Sequence, residues 1–362
     1  MLVCLTSARR PRYREDVTRA LALPKGGIVQ FRYGENIVDP STKERICGGS
    51  MAGETVVVCF IHWAEDHRNI SVVPLRFAIL TSARQVGSSI ILEMAVDAFA
   101  AVGANPNFYD AFRTASEGRA PEHKEGSTEP VGKFAFDVPD KTFEAREADV
   151  IVGFENAVKA LVQYGVFRQS EDDSANGLFF HVVDLEVRHN WIEFFPPKAV
   201  KQTATPFKAT SGARCWLDIY HYYPHGNRPK QTERKLMKVS GANDLIEFME
   251  DTELIVDSEY DLKRVEFKVA SSSTPHWSAL SVYVLGTDGK SQHAKINLPL
   301  RIRPSLVLLK LQLAFITIGI SGTALVALAT SGKPIDGWAI GTVLVSGLVV
   351  ALAATFGFKR GI

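Results

Sequence analysis

The chain has 362 residues, 46% of them hydrophobic and 10% aromatic, with 41 basic side chains against 40 acidic ones and a net charge of +1. That composition supports packed cores and excludes a disordered, collagen-like or coiled-coil chain. The balanced charge gives no global case for nucleic-acid binding.

The first twelve residues, MLVCLTSARRPR, hold too short an apolar run for a secretory signal, so the amino-terminal part is expected in the cytosol. Cys4, Cys47, Cys59 and Cys215 contain no CxxC pair and read as reduced thiols. Leu2–Leu5 is a short apolar strand. Tyr13, Val17 and Leu21 recur at helical spacing, and Pro24 ends that helix. Val29, Phe31 and Tyr33 alternate with Gln30 and Arg32, the pattern of a half-buried strand. The β-branched run Thr55–Trp63 predicts a central strand, and 70–80 and 88–96 continue the pattern. Residues 114–131 are nearly free of large apolar groups and read as a long loop. Ile151, Phe154, Val158 and Leu161 share one face of a helix expected over 148–164. Strands follow at 178–183 and 191–195, and Pro196-Pro197 marks a boundary. The chain is therefore expected to be mixed and mostly β, with residues 1–196 forming an α+β domain, a curved sheet or partial barrel with one main helix.

Strand candidates at 215–223, 254–257, 265–269, 279–285 and 295–303 predict an immunoglobulin-like β-sandwich over residues 200–303. Leu262 and Val265 have opposite parity, which suggests a bulge at Lys263-Arg264. Pro299 points to an edge strand.

Leu306–Ala329 is a 24-residue apolar stretch whose one charge is Lys310, and Gly337–Phe358 is a 22-residue stretch with none. Either is long enough as a helix to cross a hydrocarbon core of about 30 Å. A transmembrane helical hairpin is expected over 306–358. Its basic flanks, Arg301, Arg303, Lys359 and Arg360, place both termini in the cytoplasm of a multi-pass inner-membrane protein. Gly319 and Gly322 in the first stretch, and Gly337, Gly341 and Gly347 in the second, are candidate packing positions, either within one hairpin or between the subunits of a homo-oligomer.

No catalytic motif, cofactor fingerprint or metal-ligand spacing is present. Gly126–Phe134 is a poor phosphate loop, with a proline inside and Phe where Ser or Thr should meet Mg²⁺. Cys59 and His62 fall on opposite strand faces, and His221 with His225 lacks a carboxylate or thiolate. The chemistry-bearing asymmetry is basic: residues 1–34 hold seven basic side chains against two acidic ones. Arg9, Arg10, Arg12, Arg14 and Arg32 are candidates for capturing an anion, because guanidinium suits bidentate phosphate contacts. A nucleotide or protein signal, anionic lipid, or a solvated and salt-bridged surface all fit this patch.

The layout, a cytosolic body before a pair of apolar segments at 306–358 with no enzyme motif, resembles bacterial antiphage membrane effectors. That resemblance implies a sensor whose activation drives oligomerisation or disruption of the inner membrane, with no cofactor. A membrane-tethered scaffold, or an enzyme with a site outside known motifs, stays open beside it.

Overall fold

The computed structural model describes residues 1–7, 11–63, 70–101, 108–124, 130–139, 142–143, 146–163, 178–189, 198–223, 235–241, 244–272, 274–285 and 292–304. The first sheet is built from β1 (Leu2–Thr6), β2 (Ile28–Gly34), β3 (Thr55–Trp63), β4 (Ile70–Val86), β5 (Ser89–Phe99) and β6 (Ala135–Asp137), in the order β2-β5-β4-β3-β1-β6. β1 runs parallel to β3, and the other neighbours are antiparallel. The sheet curls on itself. The segment after β2 bonds back to β6, with Phe134 N donating to Ile37 O at 2.7 Å and Asp39 N to Ala135 O at 2.9 Å.

Local pattern explains the positions. In β2, Val29, Phe31 and Tyr33 are buried while Ile28, Gln30 and Arg32 are exposed, so one face seals the curl and the other meets water. β3 is buried along nearly its whole length because strands flank it on both sides and helices cover its face. Four α-helices lie among the described residues: α1 (Pro11–Ala22), α2 (Pro40–Cys47), α3 (Phe108–Ala115) and α4 (Val150–Gln163). α1 opens on proline, whose missing N–H would be unsatisfied there anyway. Asp39 caps α2 by accepting from Ser41 N, and Asp149 caps α4 by accepting from the N–H groups of Ile151 and Val152.

Two five-stranded sheets follow. One comprises β7 (Phe179–His189), β8 (Lys198–Gln202), β10 (Arg214–Tyr222), β12 (Ile246–Phe248) and β14 (Tyr260–Val269), in the order β12-β14-β10-β7-β8. The other comprises β9 (Phe207–Thr210), β11 (Lys235–Gly241), β13 (Glu253–Val256), β15 (His276–Leu285) and β16 (Gln292–Arg303), in the order β13-β11-β15-β16-β9. Leu217, Val265 and Phe267 of the first sheet share one buried cluster with Leu280, Leu298 and Leu300 of the second. That cluster also takes in Leu2, Phe31 and Leu92 of the curled sheet, so one continuous core joins the three sheets.

The seam between the curled sheet and the sandwich is also polar. Thr205 N donates to Lys25 O at 2.7 Å, and Gly26 N to Val96 O at the same distance. Gly26 has a φ of +79°, and a Cβ there would collide with Thr205 O, so this approach needs glycine.

Several expectations are corrected. Where one principal helix and a transmembrane hairpin were expected, the described residues hold four helices among curved, mostly β sheets. None of those helices is long and apolar enough to cross a membrane. The longest, α4, has 14 residues and so spans about 21 Å, short of a hydrocarbon core of about 30 Å. The expected spans at 306–358, with Gly319, Gly322, Gly337, Gly341 and Gly347, lie outside the described residues. No described helix supports the transmembrane reading or the inner-membrane location. No bulge interrupts β14 at Lys263-Arg264: the register against β10 is continuous from Tyr260 to Lys268, and Leu262 and Val265 simply occupy opposite faces. Pro299 lies in a strand paired on both sides, yet β9 joins β16 only from Leu300 onward, so β16 is one-sided at the proline.

Candidate functional site

β1 ends at Thr6, and α1 begins at Pro11. Trp63 marks the end of the parallel neighbour β3. The curl brings the end of β2 and the 3₁₀ turn Glu35–Ile37 across to the same place. Between them is a cavity of about 320 Å³, lined by Thr6, Ser7, Tyr13, Phe31, Arg32, Tyr33, Asn36, Trp63 and Phe134, among others. This lies at the low end of the roughly 300–1,000 Å³ typical of small-molecule sites.

The floor is apolar and rigid. Tyr33 is buried and its hydroxyl donates to Leu5 O at 3.0 Å. Burial pushes the Tyr33 phenol well up and the Cys4 thiol beneath it up to about 12, so both stay neutral. Phe31 and Tyr33 lie with ring centroids 6.3 Å apart, which fixes the aromatic wall contributed by β2.

Polar lining residues are Thr6, Ser7, Arg32, Asn36 and the two tyrosines. Thr6 is 4% exposed, and its Oγ1 has no hydrogen-bond partner among the described residues. A buried hydroxyl left in that state costs about 1–3 kcal/mol. Arg32 Nε donates to Ser89 Oγ at 3.1 Å, steering the guanidinium along the rim. Among the described residues the cavity lining contains Arg32 and no Asp or Glu.

Of the five arginines marked in the sequence, Arg32 lines the cavity. Arg12 and Arg14 sit in the first turn of α1, beside Tyr13, which also lines it. Arg9 and Arg10 lie outside the described residues. Elsewhere in this basic region the charges are paired: Arg19 with Glu15 at 3.1 Å and Asp16 at 3.5 Å, and Lys25 with Asp97 at 2.6 Å. Sequence reasoning missed Thr6, Trp63 and Phe134. A strand ending in a hydroxyl just before an arginine-rich turn into a helix was the available signal for Thr6. Trp63 and Phe134 join the site only through the curl of the sheet, which sequence spacing does not record.

The histidine and acidic groupings have structural partners. His62 and Cys59 lie on β3, and Cys59 is fully buried. His221 is buried, its Nε2 lies 3.3 Å from Ser258 O, and burial pulls its pKa down. His225 lies outside the described residues. Asp184, Glu186 and Asp218 form an ion network with Lys201, Arg188 and Arg264 on one sheet face. Among the described residues no cluster of His, Cys, Asp and Glu could hold a metal ion.

No protein-family model matches the chain, and no curated protein matches it. Among solved structures it is similar to WR4, a C. elegans member of the MSP family, at 10% identity and a TM-score of 0.19, over 28% of this chain and 94% of that one. It is also similar to the Vibrio cholerae VesB protease, at 7% identity and a TM-score of 0.20, over 77% of this chain and 96% of that one. Neither likeness is strong enough to carry an argument about fold or function.

Proposed function

We propose that this chain is a ligand sensor in which occupancy of the cavity at the end of β1 is passed through α1 to the β-sandwich. The observation that carries this reading is the position of α1. Its first turn supplies Tyr13 to the cavity, while its last turn is held by groups from other elements. Arg76 Nη1, from β4, donates to Ala20 O at 3.0 Å and to Leu23 O at 2.8 Å. His181, from β7, lies 2.7 Å from Leu21 O. Arg19 Nε reaches Lys295 O of β16 at 3.4 Å. Val17 and Leu21 pack in one cluster with Phe154, Phe179 and Tyr220. A rigid element with one end in a cavity and the other bonded to a second sheet is the physical requirement for coupling two regions. This reading keeps the sensing part of the antiphage-effector resemblance and drops its membrane-spanning part.

Hydrogen exchange tests it without a ligand. Tyr13→Ala empties part of the cavity and Asn36→Trp fills it from the rim. Each is expected to change exchange several-fold in β7 and β16 relative to β12, at the far edge of its sheet. Changes confined to α1, β1 and β2 would overturn the relay.

A further inference from the structure

The two edges of the β-sandwich carry opposite charge, and we propose that they bind a second copy of this chain, the acidic edge of one copy against the basic edge of the next. β12 and β13 form the first edge, one in each sheet. Residues 244–261, which contain both strands, hold eight carboxylates and no Lys or Arg. Lys238 pairs with Glu253, and Lys263 with Asp257 and Asp261. Asp244, Glu247 and Glu250 are exposed and have no ion-pair partner among the described residues. Met249 and Ile255, 48% and 43% exposed, stand among these charges.

β8 and β9 form the opposite edge. Residues 198–217, which contain them, hold four basic side chains and no carboxylate. Lys208 of β9 lies beside Arg301 of β16, and Thr210 beside Arg303. Lys208, Arg301 and Arg303 are exposed, and none has a carboxylate partner among the described residues. Val200, on β8, is 39% exposed.

The two edges stand at the same height. The register runs from Glu247 of β12 through Lys268, Arg214 and Arg188 to Ala199 of β8, one residue from each strand of the sheet. Four strand spacings of about 4.8 Å put these edges roughly 19 Å apart, so one copy cannot close on itself, whereas a neighbour displaced sideways meets opposite charge. Complementary charge steers that encounter, and the exposed apolar side chains supply the contact within a charged rim. A second copy is favoured over an unrelated partner because one molecule carries both halves of the contact. The halves differ, so the contact is heterologous and each copy keeps one edge open for the next. At Lys208 the Gln202 amide takes both the backbone N–H and the C=O, so on this sheet side chains make the contact instead of an added strand.

Zero-length carbodiimide cross-linking of the full chain, read by mass spectrometry, tests the contact. Links from Lys201 or Lys208 to carboxylates within 244–261 are expected, falling several-fold when salt is raised to about 0.5 M. Sedimentation then tests the charge pattern. Asp244→Lys with Glu250→Lys reverses charge on the first edge, and Lys208→Glu with Arg303→Glu reverses it on the second. Each double variant alone is expected to associate at least about tenfold more weakly than the native chain. An equimolar mixture of the two is expected to recover association, because opposite charges face each other again, and that recovery also shows that both variants fold. Association that survives both double variants, or a mixture that stays dissociated at unchanged thermal stability, would overturn the proposal. So would Lys208 linked only to carboxylates outside 244–261. A native chain that sediments as a monomer at about 100 µM would overturn self-association and leave the edges to a partner of opposite charge.

Discussion

His181 Nδ1 lies 2.7 Å from Leu21 O, a carbonyl in the last turn of α1 that Arg76 Nη1 also reaches, at 3.4 Å. A histidine can donate there while neutral, and the structure requires neutrality: burial and the nearby Arg76 cation hold its pKa down to about 3. The consequence for stability has a definite sign. Above the ordinary histidine value of about 6.5, His181 is neutral in both folded and unfolded chains and contributes no pH dependence. As pH falls below that, the unfolded chain takes up a proton that the folded chain refuses. Stability therefore drops by up to about 1.4 kcal/mol per pH unit until about pH 3. His181→Gln keeps a neutral donor and is expected to flatten this part of the acid unfolding curve. An unchanged profile in urea melts between pH 7 and 4 would refute the assignment.

Arg76 is 2% exposed, forks onto Asp97 O through Nε and Nη2, and lies 4.1 Å over the Phe99 ring. Burial draws its pKa down to about 9, which still leaves it charged at neutral pH. This cation caps the C-terminus of α1, where partial negative charge gathers on the last carbonyls. Arg76→Met would leave those carbonyls buried without their donor. It is expected to destabilise the fold by about 3–5 kcal/mol in denaturant unfolding.

The period-2 patterns of β2 and β16 were legible in the sequence because alternation maps directly onto burial: Ile296, Leu298, Leu300 and Ile302 all point into the core. The helix at α4 was legible for the same reason, with Phe154, Val158 and Leu161 on its buried face. Pairing order was not. β7 joins β10 and β8 because of long-range register, and no local spacing encodes that choice. For the candidate site, the arginine excess lies at the same end of the chain as the cavity-lining Thr6, Tyr13 and Arg32. Thr6 and Trp63 stayed hidden because their role depends on the carboxyl ends of β1 and β3 lying side by side.

Asp218 is 2% exposed and accepts two hydrogen bonds from Arg264, each 2.6 Å long. Its direct cross-strand partner is Asp184, whose pKa is raised by burial and then by Asp218. Arg264, paired with Asp218 from the β14 side, offsets the repulsion between these two facing carboxylates. Because Arg264 itself is 44% exposed, the effect is screened. Arg264→Ala is expected to cost about 1–2 kcal/mol in denaturant unfolding, and Asp184→Asn in that background to recover part of it.

The four cysteines differ sharply in access. Cys4, Cys59 and Cys215 are buried, and burial raises each thiol's pKa, to about 12 for Cys4 and Cys215. Cys47 is exposed at the end of α2. A maleimide on the native protein is therefore expected to modify Cys47, and the other three only after denaturation. Rapid native labelling of Cys4 would contradict the packing beneath the cavity.

The central claim, that the cavity speaks to the sandwich through α1, is tested most directly by fluorine NMR on protein carrying 5-fluorotryptophan. Trp63 lines the cavity, while Trp277 pairs with Arg301 of β16, a strand packed against α1. Tryptophan-to-phenylalanine variants assign the resonances, and spectra of the native chain and of Tyr13→Ala are compared. The Trp63 and Trp277 signals are expected to move together in Tyr13→Ala. A Trp63 signal that moves while Trp277 stays fixed, or no movement of either, would contradict the account.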